Sequence, residues 1–491
     1  MLSLNPCKTV CTLFLLYAAA AIAAPAQTFT NLYTFEANGT AFPHGAYPFG
    51  TLVQGLDGNL WGTTLGGSGG GKCNSGCGTI FKITPDGTLT MVHSFHNTDG
   101  AYPYAGLVLA TNGNFYGSTF GAFQNVATAP SFFFEITPEG ALTNLQSGGS
   151  LAALMQDTSD GNLYGTIPGT GFPGNAGSVF SLTTGGTMMT TLHSFCNVKT
   201  CGGISGGSYP TAPLVQGTNG VLYGTTAAGG TADPSCVAGV FQAGGCGTVF
   251  AIGTKGSLSI LHKFGGRNGP DGSVPRGGLV LGNDGNFYGT TEYGGTGVGT
   301  VFKITPTGTL TTLHSFSPAE GRYPNAGLAL GTDGNFYGTT SGIGSDYGSV
   351  FQITPDGTLT TLHTFDKTDD GAYPNGGLVQ ATDGNFYGTT SGLTGIQLYG
   401  TVFGTVFKLS MGIAPFVKTV PTAAYPGTTI FILGTDLTGA TSVTFNGKAA
   451  TFTIVSATEI TTTVPSGSTT GTVEVVTPGG TLSSNVPFRV F

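Results

Sequence analysis

The side chains best suited to chemistry gather between residues 267 and 346. Glu292 follows Tyr288-Gly289-Thr290-Thr291, at a place where the equivalent stretches carry Leu65, Phe120, Ile167, Ala227, Ser341 and Ser391. It is the one acid at that place. Arg267, Asp271, Arg276, Glu320, Arg322 and Asp346 lie in the segments around it, with Tyr293 and Tyr347 beside them. Only 8% of the residues are charged, so this is the densest mixed group in the chain. Two carboxyls on one groove, Glu292 and Glu320, have the chemistry of an acid and a base or nucleophile on a glycosidic bond. Arg267, Arg276 and Arg322 are suited to holding an acidic sugar through paired hydrogen bonds. A solvated network of loops would use the same residues.

A second group is Glu36, His44, His96 and Asp99. His44 and His96 stand apart from the other five histidines, His93, His193, His262, His314 and His363, which recur at one repeated place where Tyr33 and Gln146 fill the remaining copies. A place that accepts Tyr and Gln reads as a structural hydrogen-bonding position. Asp57, Asp284, Asp333 and Asp383 read as turn residues, without the spacing or closing Glu of a calcium loop. Phe42, Phe120, Phe123, Phe172, Phe241, Tyr293, Tyr347 and Tyr399 offer rings on which the apolar C–H faces of sugars stack. No Gly-x-Ser-x-Gly elbow, phosphate loop or dinucleotide fingerprint occurs in a strand-to-helix context. The sequence therefore implies no cofactor and no side-chain metal site, although a metal held by backbone carbonyls would leave no mark in it. A net charge of -8 without a basic stripe argues against nucleic acid.

What must position these residues is a repeat. Residues 323–365 hold four short runs of strand composition, 327–330, 335–340, 348–354 and 359–365. Asp333-Gly334 separates the first pair and Pro355-Asp356-Gly357 the last, which is hairpin chemistry. Seven copies are marked by Gly58, Gly113, Gly161, Gly220, Gly285, Gly334 and Gly384, at the spacing of propeller blades or solenoid coils. The seventh copy stops after its third run, and residues 29–35 match the missing fourth. A closed ring gains by such a split because both free edges disappear. The expectation is an all-β chain: a seven-bladed β-propeller of four-stranded blades, its ring closed by the N-terminal strand. Connections two-to-three and blade-to-blade are long and dissimilar, so one face is loop-rich, and variable loops on a rigid frame are where binding and catalysis usually sit.

Residues 1–26 read as a secretory signal peptide, with Lys8 before an apolar run too short for a confident span. Export makes the close pairs Cys73 with Cys77, Cys196 with Cys201 and Cys236 with Cys246 disulfides rather than metal ligands. No membrane span is expected in the mature chain.

The repeated Asp-Gly-Asn-Phe-Tyr-Gly-Thr-Thr, Gly-Thr-Val-Phe-Lys-Ile-Thr-Pro and Gly-Thr-Leu-Thr-Thr-Leu-His-Ser-Phe resemble the GloVer tandem repeat of bacterial exported proteins across residues 29–410. That family has no assigned chemistry. Ser131 and Ala176 depart from the usual strand-three entry in copies two and three. The plan is also similar to NHL-type and streptogramin-lyase propellers, in architecture only. From residue 411 onward, short alternating runs flank Asn446-Gly447, and Pro426-Gly427, Val464-Pro465 and Thr477-Pro478-Gly479-Gly480 resemble an IPT/TIG immunoglobulin-like β-sandwich, which implies a spacer or contact module.

The expected protein is secreted or surface-exposed, with domains at 1–26, 27–410 and 411–491. Its loop-rich face would hold a polysaccharide or a surface protein. The alternatives are a carbohydrate-active enzyme working from Glu292 and Glu320, and a structural envelope protein. Candidate ligand-binding residues are Arg267, Arg276, Arg322, Tyr293, Tyr347, Asp346, His44 and His96.

Overall fold

The computed structural model describes residues 27–37, 42–68, 73, 76–121, 129–171, 175–195, 206–231, 235–236, 245–394, 397–398 and 403–491. The proposed leader and the Cys196–Cys201 pair lie outside them. The described residues form strands and turns with no helix, and so no helix long and apolar enough to cross a membrane.

The unit at 323–365 shows how each sheet forms. Its strands are Ala329–Leu330, Phe336–Thr340, Ser349–Ile353 and Leu359–Thr364, paired antiparallel in that order. The Gly334 turn brings φ to 83°, a value open to glycine at no cost, and the Gly334 N–H donates to the Gly331 carbonyl at 2.9 Å. Strand two is glycine in its middle for a packing reason. A Cβ on Gly338 would lie 2.5 Å from the ring of Phe351 on strand three and 2.8 Å from Leu328. The same triad recurs as Gly62/Phe81/Leu52, Gly117/Phe134/Leu107, Gly165/Phe180/Leu154, Gly224/Phe250/Leu214, Gly289/Phe302/Leu279 and Gly388/Phe407/Leu378. All seven Phe rings are fully buried.

Seven such sheets follow one another, and the last is completed by Thr28–Thr34, which pairs with Thr405–Ser410. At six junctions, the residue before a proline donates its N–H to the entry of strand three in the preceding sheet: Tyr102 to Cys77, Tyr209 to Ala176, Val274 to Cys246, Tyr323 to Val298, Tyr373 to Tyr347 and Tyr47 to Phe403, at 2.7–2.9 Å. The second and third sheets are joined by the Ser118 hydroxyl, which donates to the Ser150 carbonyl at 3.1 Å. The Tyr47 bond joins the last sheet to the first. Glutamines on the first strands clasp neighbouring turns. Gln54 and Thr382 exchange two hydrogen bonds at 3.0 Å, and Gln380 does the same with Thr332 at 3.0 and 3.2 Å. First strands of successive sheets approach one another, Val280–Leu281 touching both Val215–Gln216 and Ala329–Leu330. They form the crowded centre of the array.

From residue 411 on, Lys418–Val420, Thr429–Leu433, Glu459–Thr463 and Phe452–Ile454 make one sheet, and Lys448–Ala449, Ser442–Phe445, Val473–Thr477 and Gly480–Ser483 another. Val417, Ile432, Val443, Phe445, Ile460, Val475 and Phe488 form their shared core. Asn446 and Gly447 have φ of 46° and 81°, the paired positive values of a type I′ hairpin.

This C-terminal unit is not held clear of the sheets as a spacer would be. Thr458 Oγ1 donates to the Leu56 carbonyl at 2.9 Å, Phe416 N–H to Thr382 at 3.0 Å and Arg489 Nη1 to Thr218 at 2.7 Å. Leu56, Thr218 and Thr382 hold one and the same place in the turn after the first strand of sheets one, four and seven. Lys418 Nζ donates to the Gln380 carbonyl. Burial draws its amine down to about 8, opposed by Asp383.

Gly338→Ala should lower stability by about 1–3 kcal/mol, because Phe351 is walled in and its ring cannot retreat; urea denaturation midpoints measure this. Lys418→Met should raise the midpoint at pH 7, and its advantage should shrink between pH 8 and 10.5. In that window the unfolded chain still binds a proton that the folded chain has released, so wild-type stability rises with pH.

Candidate functional site

The segment entering each first strand places one residue at the mouth of the crowded centre. After the residue-proline pair come Phe49, Tyr104, Thr211, Arg276, Asn325 and Asn375, and Leu151 takes the place in the third sheet, which lacks the pair. All seven are half-exposed within otherwise largely buried segments. The residue before each proline is left-handed: φ is 62° at Tyr47, 58° at Tyr102, 56° at Tyr209, 58° at Val274, 59° at Tyr323 and 59° at Tyr373. For a β-branched Val this conformation is strained by about 1 kcal/mol or more. The inter-sheet N–H bonds described above hold it in place.

Around this collar the chemistry is divided. Phe49 and Tyr104 are in contact with ring centroids 4.3 Å apart and planes tilted by 40°, and Leu151 continues that side. On the other side Arg276 Nε is bonded to the Glu292 carboxylate. Asn325 Nδ2 donates to Ser341 Oγ at 3.0 Å and Asn375 Nδ2 to Ser391 Oγ at 2.7 Å. The residue after proline thus pairs with the residue that follows strand two of its own sheet. Thr211 Oγ1 and Asn325 Oδ1 are buried atoms with no hydrogen-bond partner.

Tyr104 and the Arg276–Glu292 pair come from sheets two and five, yet they sense one another. Burial pushes the Tyr104 phenol well above its ordinary value, with Arg276 drawing it down and Glu292 pushing it up. Burial opposes the Arg276 charge, but Glu292 beside it outweighs this and raises the guanidinium. The Arg276 side chain is 26% exposed and that of Glu292 12%. The collar carries one cation and one anion, already paired, and a phenol kept protonated.

The remaining sequence candidates are distributed as follows. Arg267 lies over the Tyr293 ring at 4.1 Å, next to Arg276–Glu292, so these four residues come together. Burial, then Glu292, pushes the Tyr293 phenol up to about 12. Glu320 is held elsewhere. It accepts from the Ser317 N–H and hydroxyl, both at 2.8 Å, and from His314 at 3.3 Å. Burial opposes these contacts, which nonetheless hold its carboxyl below the usual range. Asp99, Asp271 and Asp370 hold His93, His262 and His363 in the same way at 3.1, 2.9 and 2.8 Å, which explains why histidine recurs there. Arg322 pairs with Asp346 at 3.6 Å. Tyr347 meets Tyr373 edge-on and lies under Lys367. His44 bonds the Tyr33 hydroxyl at 2.6 Å, whereas the His96 side chain is exposed. The turn acids Asp160, Asp284, Asp333 and Asp383 accept the hydroxyls of Tyr164, Tyr288, Tyr337 and Tyr387. Phe123, Phe172, Phe241 and Tyr399 lie outside the described residues. Among those described, no group of three or more His, Cys, Asp or Glu is placed to hold a metal ion.

The collar itself was missed in the sequence. Its signal was present: after an otherwise recurring Tyr-Pro, the next residue changes from copy to copy. The disulfides brace it. Cys73–Cys77 and Cys236–Cys246 are formed, and the carbonyls of Cys77 and Cys246 accept the N–H groups of Tyr102 and Val274, two residues before Tyr104 and Arg276.

The model of the Gloeobacter/Verrucomicrobia repeat matches residues 74–242 and 236–455. No curated protein matches the chain. Among solved structures, a gluconolactonase from Xanthomonas campestris aligns at 12% identity over 79% of this chain and 92% of that one, with a TM-score of 0.39. Kuenenia stuttgartiensis hydrazine synthase aligns at 13% over 72% and 96%, with a TM-score of 0.46. Likeness this distant says nothing about activity.

Replacing Cys236 and Cys246 together by Ser should lower the denaturation midpoint by the equivalent of about 2–3 kcal/mol, the loop-entropy term for a loop of this length. Calorimetric or chemical unfolding against the wild type measures it.

Proposed function

The chain belongs to the Gloeobacter/Verrucomicrobia repeat family, and from there we propose that it is an exported carbohydrate-binding protein. In this reading residues 27–410 are a seven-bladed propeller closed by its N-terminal strand, residues 411–491 are an immunoglobulin-like sandwich, and residues 1–26 are a leader. The loop-rich face holds the ligand. One observation carries the reading: Glu292, Glu320 and Asp346 are engaged by Arg276, His314 and Arg322, whereas aromatic rings and amides around the collar keep exposed surface. Rings beside planar polar groups are what a sugar needs, an apolar C–H face on one side and hydroxyls on the other. Two disulfides fit an oxidising compartment. A glycosidase working from Glu292 and Glu320 would need both carboxyls at one bond, and the two are held by different partners, Arg276 and His314.

The test is to incubate the protein with plant, fungal and bacterial polysaccharides, following co-sedimentation together with reducing-end and unsaturated-product release. Retention without release is the expected result. Release that Glu292→Gln abolishes would replace this reading by the enzyme, and neither retention nor release would remove carbohydrate as the ligand.

A further inference from the structure

Resting on the carbohydrate reading, we infer that the collar of Phe49, Tyr104, Thr211, Arg276, Glu292 and Asn325 is a terminal-sugar site: it takes the end residue of a neutral glycan, entering end-on from the loop-rich face.

Three observations converge on this. The first is the division of the wall. The Phe49 and Tyr104 rings, in contact at 4.3 Å between centroids and tilted by 40°, supply the aromatic side of the wall. Opposite them, Arg276 donates and Glu292 accepts, the paired arrangement that suits neighbouring hydroxyls. Thr211 Oγ1 and Asn325 Oδ1 add polar atoms that nothing in the protein satisfies, and buried polar atoms left unmade are costly.

The second is charge. Arg276 is compensated by Glu292, so an anionic sugar would have to displace Glu292 to reach it, while the nearest further cation, Arg267, lies over the Tyr293 ring rather than at the collar. A neutral polyhydroxy ligand has no such cost. The arginine cluster that the sequence suggested for acidic sugars is thereby turned toward neutral ones.

The third is the far end of the passage. The first strands run from the collar to the turns at Leu56, Thr218 and Thr382, and all three turns are bonded to the C-terminal unit. Sheets one and seven are neighbours, and sheet four lies three sheets from each, so the unit reaches across the array. A polymer therefore cannot thread through, and only a chain end can enter.

The experiment is isothermal titration of the full mature chain with the methyl glycosides of glucose, galactose, mannose and N-acetylglucosamine, and with methyl glucuronide. At least one neutral glycoside should bind and the glucuronide should bind more weakly. Tyr104→Ala and Asn325→Ala should each weaken binding about tenfold, with Tyr104→Phe and Thr211→Val as milder variants should the first pair melt early. The parent polysaccharide, cut to shorter lengths at equal mass, should bind in proportion to its chain ends. Glycoside binding untouched by the collar variants but lost in Tyr347→Ala would overturn the site while leaving carbohydrate binding intact. So would retention of a polysaccharide with no glycoside bound, or binding that ignores the number of ends. Failure to bind any glycoside or polysaccharide would sink both readings.

Discussion

A phenylalanine ring resting on the bare α-carbon of a glycine is the contact on which the rest of the chain depends. It occurs once in each of seven sheets, between strand three and the middle of strand two, with a leucine from the approach to strand one closing the third side. Such a contact leaves no room for even a methyl group, and packed interiors absorb such changes poorly. Because the same three residue types meet at the same heights each time, the sheets have similar shapes and stack against one another with little variation. Tyrosines of one sheet then fall on phenylalanines of the next, Tyr223 on Phe287, Tyr288 on Phe336 and Tyr337 on Phe386, with centroids 3.9–4.1 Å apart.

That uniformity frees the strand ends to differ. Some ends are structural: in four sheets an acid holds the strand-four histidine, and in four a turn acid holds the strand-two tyrosine. In a chain with few charges, this occupies many of the carboxylates. The entry to each first strand is the other kind. Its backbone is nearly identical from copy to copy, strained at one residue and pinned by an inter-sheet bond, while the side chain that follows the proline is unrestricted. A rigid frame with seven variable positions around one mouth can carry a binding site without any loop having to order on binding, which avoids part of the entropic cost of association.

The two ends of the central passage are treated oppositely. At the collar, charges are paired and aromatic surface remains open. At the other end the C-terminal unit is laid over the turns, and a lysine is pressed into a place where its amine loses much of its preference for the proton. Burying an amine in this way costs stability. The neighbouring hydrogen bonds from Thr458, Phe416 and Arg489 offset that cost.

The amino-acid pattern by itself determined the strands, turns and period, because these rest on local physics: alternation of apolar residues, glycine in positive-φ turns, and a split repeat that leaves no free edge when rejoined. It also marked Glu292 as the departure from the repeat. Tertiary structure alone decided what the marked residues do. Glu292 and Glu320 look alike in sequence, but one meets Arg276 at the collar and the other continues the histidine-bonded series, and which partner arrives is set by sheets folding together. Tyr104 and Arg276 are 172 positions apart and come within electrostatic reach of one another only because the sheets fold together. The docking of residues beyond 411 onto the turns was equally hidden, since three carbonyl acceptors carry no side-chain signature that a sequence could show.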